Sequence, residues 1–299
     1  VTTREAASDT LTFAALAGPI NEFNNLILDT TAAGGITYTM ATNALACGGL
    51  LTIRNSAGAP TGNTVLTTGA GNLSVTAGSV TIGTNGTFIA NASTITVNGS
   101  WISTAANATW TPGTSTVVFG ATGTITLAAA QTFTILIQSA GTSTLGAALT
   151  VTGLLTVNGA LSTSGSNFAL TPQGGLTIGG SLTAGTSTVA ETGNVNVTAP
   201  AAYITAGAAG SWTVTNGSWT NATTSASWNF AAPIAFTSNV SQTMTFAGAN
   251  LGGSEFTGTV TFDSSVVAGV TYTMATRGVV TGNTLTIRNS AGGATGYTI

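Results

Sequence analysis

The chain has 299 residues, of which only 4% are charged, with four arginines as its only basic residues, no histidine and a net charge of −3 at pH 7. This balance argues against a nucleic-acid partner, because neutralising phosphates requires clustered Lys or Arg. No apolar stretch approaches the roughly 18 residues that a membrane-spanning helix requires, so no membrane span is predicted.

Short runs in which apolar and polar residues alternate recur along the chain. In chain order they read ITYTM, LLTI, LSVT, SVTI, TITV, TVVF, TITL, FTILI, ALTV, LLTV, GLTI, WTVT, TMTF and TVTF. Alternation with a period of two residues predicts half-buried strands. Between the runs stand NG, GG, AG, TG and SG, which favour turns because Gly and Asn tolerate positive φ. Helices are disfavoured, since β-branched residues are abundant and Gly and Asn interrupt every apolar run.

The spacing of these runs favours a solenoid over a sandwich. In ALTVTGLLTVNGALS the step between runs is about six residues, which is shorter than the roughly 8–12 residues typical of sandwiches. We therefore predict an all-β, repetitive β-solenoid, similar to a parallel β-helix, with small apolar residues in a narrow core. The scarcity of charge fits stacking, because a charge repeated on successive coils would lie about 4.8 Å from its copy. Tandem immunoglobulin-like sandwiches of about 118 residues are the alternative.

A long repeat joins the two ends of the chain, where 10–65 matches 243–299. The phrase LTIRNSAG stands at 51–58 and again at 285–292, an offset of about 234 residues. Self-similarity on this scale is the signature of a repeat architecture, so we interpret 1–299 as one continuous repetitive region. The aligned aromatic pairs are Phe13 with Phe246, Phe23 with Phe256 and Tyr38 with Tyr272.

A weaker repeat divides the chain into inner half-repeats, roughly 93–210 and 211–299. NGSW occurs at 98–101 and at 216–219, which are 118 residues apart. Trp110 and Trp228 keep this spacing, and Phe133 in FTILIQS occupies the position of Phe256.

The segments 111–119, 122–126, 133–137 and 144–159 carry the pattern TPGTSTVVF, TGTIT, FTILI and TLGAALTVTGLLTVNG. This pattern resembles a low-complexity repeat of large bacterial secreted and surface proteins, which are β-strand-repeat, adhesin-like or fibre-like exoproteins. The resemblance covers roughly a fifth of the chain. It implies an architecture rather than a chemistry, because that family has no catalytic residues to carry over.

The residue types present argue against an enzyme. Without His there is no Ser-His-Asp triad and no imidazole metal site. Without Lys there is no Schiff base and no P-loop. The seven carboxylates are thinly spread, and none forms a near pair that could act as acid and base. We predict no catalytic activity, no metal and no cofactor.

Charged residues concentrate in the duplicated segment. Those that align between the copies are Glu22, Asp29 and Arg54 in the first, and Glu255, Asp263 and Arg288 in the second. One interpretation is an ion pair of Arg54 with Asp29 or Glu22 that fixes the register between coils or subunits. The alternative is solvated surface charge, worth under about 1 kcal/mol.

Cys47 is the only cysteine, so an intrachain disulfide is impossible. It is either a small buried hydrophobic residue or a reactive thiol. The second copy has Thr281 at the matching position, which weakens any essential role for the thiol.

Asn-x-[Ser/Thr] sequons are frequent, and glycans would suit an exposed fibre. Ser and Thr are so common here that many sequons also arise by chance. The candidate sites are Asn72, Asn85, Asn91, Asn98, Asn107, Asn196, Asn216, Asn221 and Asn239.

Two further patterns are candidate binding features. T-x-T triplets occur at 94–96, 124–126, 213–215, 243–245, 259–261 and 271–273. Regular ladders of such triplets resemble ice-binding β-solenoids, but the irregular spacing favours plain strand propensity. Five tryptophans could stack on sugars, or could instead pack at corners where the core widens. They are Trp101, Trp110, Trp212, Trp219 and Trp228.

These observations together favour a structural protein that is extracellular or at the cell surface. We expect a filament, surface layer or adhesin stalk built by stacking β-repeats, with further copies of itself as partner. A carbohydrate-binding adhesin module that contacts surface glycans is the main alternative, and an ice-binding β-solenoid is a more remote one.

Overall fold

The computed structural model describes residues 1–5, 7–12, 22–57, 61–163, 165–247, 254–275 and 278–292. Every regular element in these ranges is a β-strand. The strands pair in parallel and stack as a β-solenoid of about 12 turns in all. The predicted all-β solenoid is therefore confirmed, and the immunoglobulin-like alternative is wrong, because such sandwiches are built from antiparallel sheets. The strands group into two compact units, Val1–Ala148 and Leu149–Ile299.

Unit 1 consists of short strands separated by corners. Those in the described residues are β1 Thr2–Glu5, β2 Asp9–Leu11, β3 Leu26–Thr30, β4 Ile36–Met40, β5 Leu45–Ile53, β6 Thr64–Thr67, β7 Val75–Ile82, β8 Gly86–Ile89, β9 Thr94–Val97, β10 Trp101–Ser103, β11 Thr109–Thr111, β12 Thr116–Phe119, β13 Gly123–Leu127, β14 Ile135–Gln138 and β15 Thr142–Leu145.

These strands form three parallel stacks around a common core. One stack contains β2, β4, β6, β8 and β11. A second contains β1, β3, β5, β7, β10, β13 and β15. The third contains β5, β7, β9, β12 and β14. Strands β5 and β7 belong to two stacks because each turns a corner, at Gly48 and Gly49 in β5 and at Gly78 in β7.

Unit 2 repeats this plan with shorter strands. Those described are β16 Leu149–Val151, β17 Leu155–Val157, β18 Ala160–Ser162, β19 Leu170–Pro172, β20 Leu176–Ile178, β21 Ser181–Gly185, β22 Thr188–Thr192, β23 Val195–Val197, β24 Tyr203–Ala206, β25 Ser211–Thr215, β26 Trp219–Asn221, β27 Asn229–Phe230, β28 Ile234–Ser238, β29 Gln242–Thr245, β30 Val260–Ser264, β31 Tyr272–Met274 and β32 Leu285–Asn289.

The three stacks of unit 2 take every third strand for most of its length. The first is β16, β19, β22, β25, β28, β30 and β32. The second is β17, β20, β23, β26, β29 and β31, and the third is β18, β21, β24 and β27. The step of about six residues in the sequence therefore corresponds to successive faces of one coil. In both units, paired residues lie 19 to 30 positions apart in the chain.

The core consists of columns of inward-facing side chains, because alternate residues of a strand point to the same face. One column of each unit contains a fully buried tryptophan as its fourth residue. It is Trp101 in unit 1 and Trp219 in unit 2. Burying each aliphatic side chain in such a column stabilises the coil by about 1.5–3 kcal/mol. The unit 1 column is Leu26, Leu51, Val80, Trp101, Ile125 and Leu145. The unit 2 column is Leu155, Leu176, Val195, Trp219, Met244 and Met274.

Glycines form a column of their own at one corner of unit 1. A Cβ on Gly99 would lie 2.6 Å from the backbone oxygen of Gly78 on the neighbouring coil. The same clash would arise at Gly78 against Gly48, and at Gly123 against Gly99. The coils approach so closely here that only a residue without a side chain fits.

Candidate functional site: a corner built twice

The first copy of LTIRNSAG begins in β5 and runs into the corner that follows it. Its arginine, Arg54, reaches the neighbouring coil, where its Nε lies 3.2 Å from Asp29 Oδ2 in β3. Arg4 of β1 is in register with Asp29, with its Nε 3.6 Å from the same oxygen. The two arginine side chains are 53% and 40% exposed, whereas the Asp29 side chain is fully buried between them. One carboxylate thus links three successive coils.

Hydrogen bonds complete the shell around Asp29. The backbone N–H of Ser56 donates to Oδ1 at 2.9 Å, and the Ser56 hydroxyl donates to Oδ2 at 2.7 Å. The N–H of Thr30 also donates to Oδ1. Burial acts to raise the pKa of Asp29, but the hydrogen bonds from Ser56, Thr30 and Arg54 outweigh it, so the pKa lies below its ordinary value. Its oxygens are fully engaged, which suits a structural link rather than acid–base chemistry.

Asn55 joins the same corner to a third segment of the chain. Its Nδ2 donates to the backbone oxygen of Gly62 at 2.9 Å and to that of Ala32 at 3.3 Å. Its Oδ1 accepts the N–H of Ala57 at 2.9 Å, which closes a local turn. The arginine, asparagine and serine of the motif therefore all form hydrogen bonds to other segments of the chain.

The second copy builds the same corner in unit 2. Arg288 is in register with Asp263, and its Nε lies 2.9 Å from Asp263 Oδ2. The N–H of Ser290 donates to Asp263 Oδ1 at 2.9 Å. Asn289 Nδ2 donates to the backbone oxygen of Val266 at 3.0 Å, and its Oδ1 accepts the N–H two residues on at 3.0 Å.

A buried tyrosine ties down the acid's own strand in each copy. The Tyr38 hydroxyl donates to the backbone oxygen of Asp29 at 2.7 Å. The Tyr272 hydroxyl lies 2.6 Å from the backbone oxygen of Asp263. Burial raises the pKa of Tyr38, and it raises that of Tyr272 to about 12, so both hydroxyls remain protonated donors across the neutral range.

The structure thus brings Asp29 to Arg54 and Asp263 to Arg288. The roles of Asn55 and of Ser56 were not anticipated, although their recurrence in both copies was the available signal. Phe13, which the repeat aligns with the buried Phe246, lies outside the described residues, as do other parts of both repeat copies.

The two glutamates of the duplicated segment occupy other places. Glu22 is half-buried, and its backbone N–H donates to Ala46 at 2.9 Å. Glu255 is only 4% exposed, and its Oε1 accepts Trp219 Nε1 and Asn221 Nδ2, each at 2.9 Å. Glu255 therefore serves the aromatic core rather than the corner at Asp263.

Coverage differs between the two copies of the phrase. In unit 1, β7 pairs with β5, and Leu51 and Ile53 are fully buried. In unit 2 the aligned Leu285 and Ile287 are 40% and 39% exposed, since the only described strand paired with β32 is β30. This leaves an apolar row on β32 that matches the one that β7 covers.

An aromatic cluster fills the unit 1 core near its middle. The Trp101 ring lies 4.7 Å from that of Trp110 and 5.4 Å from that of Phe133, both edge to face. The indole N–H of Trp110 donates to the backbone oxygen of Thr132 at 2.9 Å. Offset and edge-to-face contacts of this kind add to the stabilisation from burial.

The equivalent residues of unit 2 form a similar cluster. The Trp219 ring lies 6.3 Å from that of Trp228 and 5.4 Å from that of Phe256. The indole N–H of Trp228 donates to the backbone oxygen of Glu255 at 2.7 Å. Phe133 and Phe256 thus occupy like positions.

Burial opposes a sugar-stacking role for four of the five tryptophans. The rings of Trp101, Trp110, Trp212 and Trp219 are at most 5% exposed, so no sugar can reach their faces without opening the core. Trp228 is half-buried, and its ring stacks on Phe230. The coil interior is wide enough for the first four rings, which are core residues, whereas Trp228 lies at the edge of the core.

The sequons fall into three groups by exposure. Asn72, Asn98, Asn107, Asn216 and Asn239 are exposed, and Asn91 and Asn196 are half-buried. Asn85 and Asn221 are 8% and 3% exposed, which contradicts glycosylation of the folded chain at these two positions. Positive φ at Asn72, Asn85, Asn91, Asn107 and Asn216 gives these residues a role in turns, because Asn tolerates that conformation.

Cys47 is a packed residue. It is fully buried, its Sγ donates to the backbone oxygen of Asn24 at 3.4 Å, and burial raises the pKa of its thiol. The backbone of Cys47 forms an isolated parallel β-bridge with that of Phe23, and the aligned Thr281 forms the same β-bridge with Phe256. A raised pKa and burial both oppose reactivity, so the structure favours the packing interpretation.

A groove of about 580 Å³ lies beside the first corner. Its walls include Arg54, Thr81, Thr84 and Asn85, and none of its described lining residues is aromatic. The groove can offer hydrogen bonds but no stacking platform for a sugar ring. Over the described ranges there is no group of three or more His, Cys, Asp or Glu that could hold a metal ion. No helix long and apolar enough to cross a membrane occurs in those ranges either.

Comparison of the chain with protein-family models gave no match, and comparisons with curated proteins and with solved structures gave none. The chain's own residues and contacts are therefore the basis for inferring its function.

Proposed function

We propose that this chain is a structural protein of the cell exterior that contributes to a filament, surface layer or adhesin stalk by stacking β-coils. The observation that carries the proposal is that the residues repeated in both copies form contacts between neighbouring coils. Arg54 with Asp29, and Arg288 with Asp263, join one coil to the next, as do the Asn and Ser of the same motif. The Arg, Asn and Ser side chains that the two copies share therefore form contacts between coils. Such contacts suit a structural role better than ligand binding.

The strand pairing and the scarcity of charged residues both support a mechanical role. Successive coils are joined by in-register parallel pairing, which gives stiffness through continuous backbone hydrogen bonding. Charges are 4% of the chain, and Lys is absent, so few sites for trypsin exist. A surface of this kind suits an exposed location.

Further copies of this chain, or further repeats of the same kind, are the proposed partner. The row of Leu285 and Ile287 on β32 matches Leu51 and Ile53, which β7 covers in unit 1. One edge of β32 pairs with β30, and its other edge has no partner strand among the described residues. A coil like that of β7 therefore fits there, because an unpaired strand edge with an apolar inner face is a template for pairing.

The test is electron microscopy and sedimentation velocity of the full chain at increasing concentration. We expect filaments or ordered arrays, and the double variant Leu285→Lys with Ile287→Lys should abolish them. The matched control is Ile102→Lys with Leu154→Lys, which charges two similarly exposed apolar residues elsewhere and should leave assembly intact. Monomers at every concentration, or equal effects of both double variants, would contradict the proposal.

No contact in the part of the chain that the structure describes favours the carbohydrate-binding alternative. The candidate stacking rings are buried or packed, and the groove beside Arg54 has no aromatic wall among its described residues. Monomers that bind on a glycan array would nevertheless favour this class over the structural one.

A second candidate function, ice binding, is favoured by one face of unit 1. The T-x-T triplets at 94–96, 124–126, 213–215, 243–245, 259–261 and 271–273 are spread over several stacks and form no single ladder. Another set of β-branched residues does align, on the outer face of β4, β6, β8 and β11. One column is Thr37, Val65, Thr87 and Thr109, and the other is Thr39, Thr67, Ile89 and Thr111. Thr87 is only 7% exposed and its hydroxyl accepts a hydrogen bond from Asn63 Nδ2, so the first column is interrupted at that coil.

On this face, residues that are irregularly spaced in the sequence line up in two columns. The columns are uncharged, with neighbouring strands about 4.8 Å apart and alternate residues about 6.6 Å apart along each strand. A regular array of methyl and hydroxyl groups on such a grid can order water in an ice-like lattice.

Thermal hysteresis and ice recrystallisation are the measurements that test this candidate. The double variant Thr39→Glu with Thr67→Glu should abolish any activity, whereas Thr177→Glu on an outward position of unit 2 should retain it. Wild-type chain without thermal hysteresis or inhibition of recrystallisation would remove the candidate.

A further inference from the structure

Glu191 is a carboxylic acid at an inward-facing position of the apolar core of unit 2. It lies in β22, where it alternates with the buried Val189 and is itself only 1% exposed. In the next coil its register partner is Val214 of β25, which is 1% exposed. The side chain therefore points into the core of unit 2.

No group in its surroundings neutralises the carboxylate. Among the described residues, neither Oε1 nor Oε2 of Glu191 has a partner at good hydrogen-bond geometry. The backbone N–H of Gly175 is close enough to interact weakly, but it carries no charge. The flanking strands β19 and β25 carry no ionisable side chain, and neither do β20, β23 and the turns between these strands. Tyr203 of β24 is titratable, but it occupies a half-buried position that alternates with the buried Ile204.

Burial without partners penalises the ionised form far more than the neutral acid. It raises the pKa of Glu191 from 4.5 to about 8, against a smaller lowering by the nearby N–H of Gly175. The shift has the sign that geometry demands, because desolvation disfavours the charged form.

We propose that Glu191 makes the stacking of unit 2 sensitive to pH, because the coil of β22, β23 and β24 closes around an uncharged carboxylic acid. The group binds its proton more tightly in the folded coil than in the unfolded chain. Its contribution to stability is therefore complete below the ordinary value of 4.5 and is lost as pH rises towards about 8. The folding equilibrium constant should fall by up to about tenfold for each pH unit in that window. This inference does not depend on the proposed function.

The test is denaturant unfolding of the full chain from pH 5 to 9, followed by hydrogen exchange and tryptophan fluorescence. We expect wild-type stability to fall as pH rises and to level off above about pH 8. The neutral isostere E191Q should remove that slope and protect peptides covering β22 to β24 at high pH. The matched control E5Q, at an exposed glutamate of β1, should keep the wild-type slope.

A direct titration keeps the inference falsifiable if E191Q folds poorly. The chain has four glutamates, so ¹³C labelling of their carboxyl groups gives four resolvable titrations. We expect one of them to titrate near pH 8 in the wild type and to vanish in E191Q. All four titrating below pH 6, or an unchanged slope in E191Q, would overturn the inference.

Discussion

Asp29 and Arg54 are 25 residues apart in sequence but lie on neighbouring coils, with Arg54 Nε 3.2 Å from Asp29 Oδ2. Asp263 and Arg288 repeat the relationship in unit 2, again 25 residues apart and at 2.9 Å. A side-chain pair whose separation equals one turn of the chain favours one register of stacking, because a slip by one residue would move the arginine to the opposite face.

Removing the guanidinium of Arg54 should weaken unit 1 modestly. We expect Arg54→Gln to lower the free energy of unfolding by about 1 kcal/mol, since the arginine is partly exposed while its partner is buried. A double-mutant cycle with Asp29→Asn, measured by urea unfolding, isolates the pair. Arg288→Gln, at the more exposed second copy, is the control and should have a smaller effect. A coupling energy of zero would mean that the contact between the two side chains contributes nothing to stability.

Acid should weaken the first corner. The pKa of Asp29 lies below its ordinary value of 3.8 in the folded chain, so its contribution to stability is present above pH 3.8 and is lost as pH falls further. Thermal unfolding between pH 5 and 2 should therefore show a decline that Asp29→Asn reduces. Asp9→Asn, at an exposed position of β2, should leave the decline unchanged. Parallel pH curves for wild type and Asp29→Asn would show that the network contributes nothing.

The glycine column should tolerate no side chain. A Cβ at position 99 would lie 2.6 Å from the backbone oxygen of Gly78, so Gly99→Ala must push two coils apart. We expect a loss of roughly 1–3 kcal/mol, the range typical of overpacking. Gly71→Ala is the matched control, because its Cβ would meet nothing closer than 3.6 Å from Leu73. Equal melting temperatures for the two variants would contradict the close approach.

Truncating a core tryptophan should unfold part of unit 2. Trp219 is fully buried among four aromatic rings, so Trp219→Ala should lower the free energy of unfolding by about 3–5 kcal/mol. Fluorescence of the remaining tryptophans reports the transition. Trp228→Ala, at a half-buried ring, should cost less. A Trp219→Ala variant as stable as wild type would mean that the ring is not part of the core.

The fold could be predicted because its signals are local. Runs such as ITYTM and LLTI alternate with a period of two, and these segments are β4 and part of β5. The step of about six residues between runs matches the three-strand coils of unit 2. Residues that meet across coils are far apart in sequence, however, so no local pattern could reveal that Leu51 stacks on Val80.

The candidate site could be predicted only in part. The duplication marked Arg54, Asp29 and their second copies, because scarce charges recurred at aligned positions. The same duplication could not show that Asn55 bonds to Ala32 and Gly62, since those acceptors are backbone groups with no sequence signature. Nor could composition show that the tryptophans lie inside, because aromatic residues suit both a sugar platform and a core.

The sequence by itself determined the repeated strand pattern, the scarcity of charge and the place where one phrase is written twice. Only the tertiary structure decided what that phrase does, because stacking brings residues 25 positions apart within hydrogen-bond distance. It also decided that Glu191 lies buried inside unit 2 with no charged partner among the described residues, since burial depends on which face each strand turns to the core. Alternation along a strand is written locally, but the neighbours that each side chain meets are set by the register between coils.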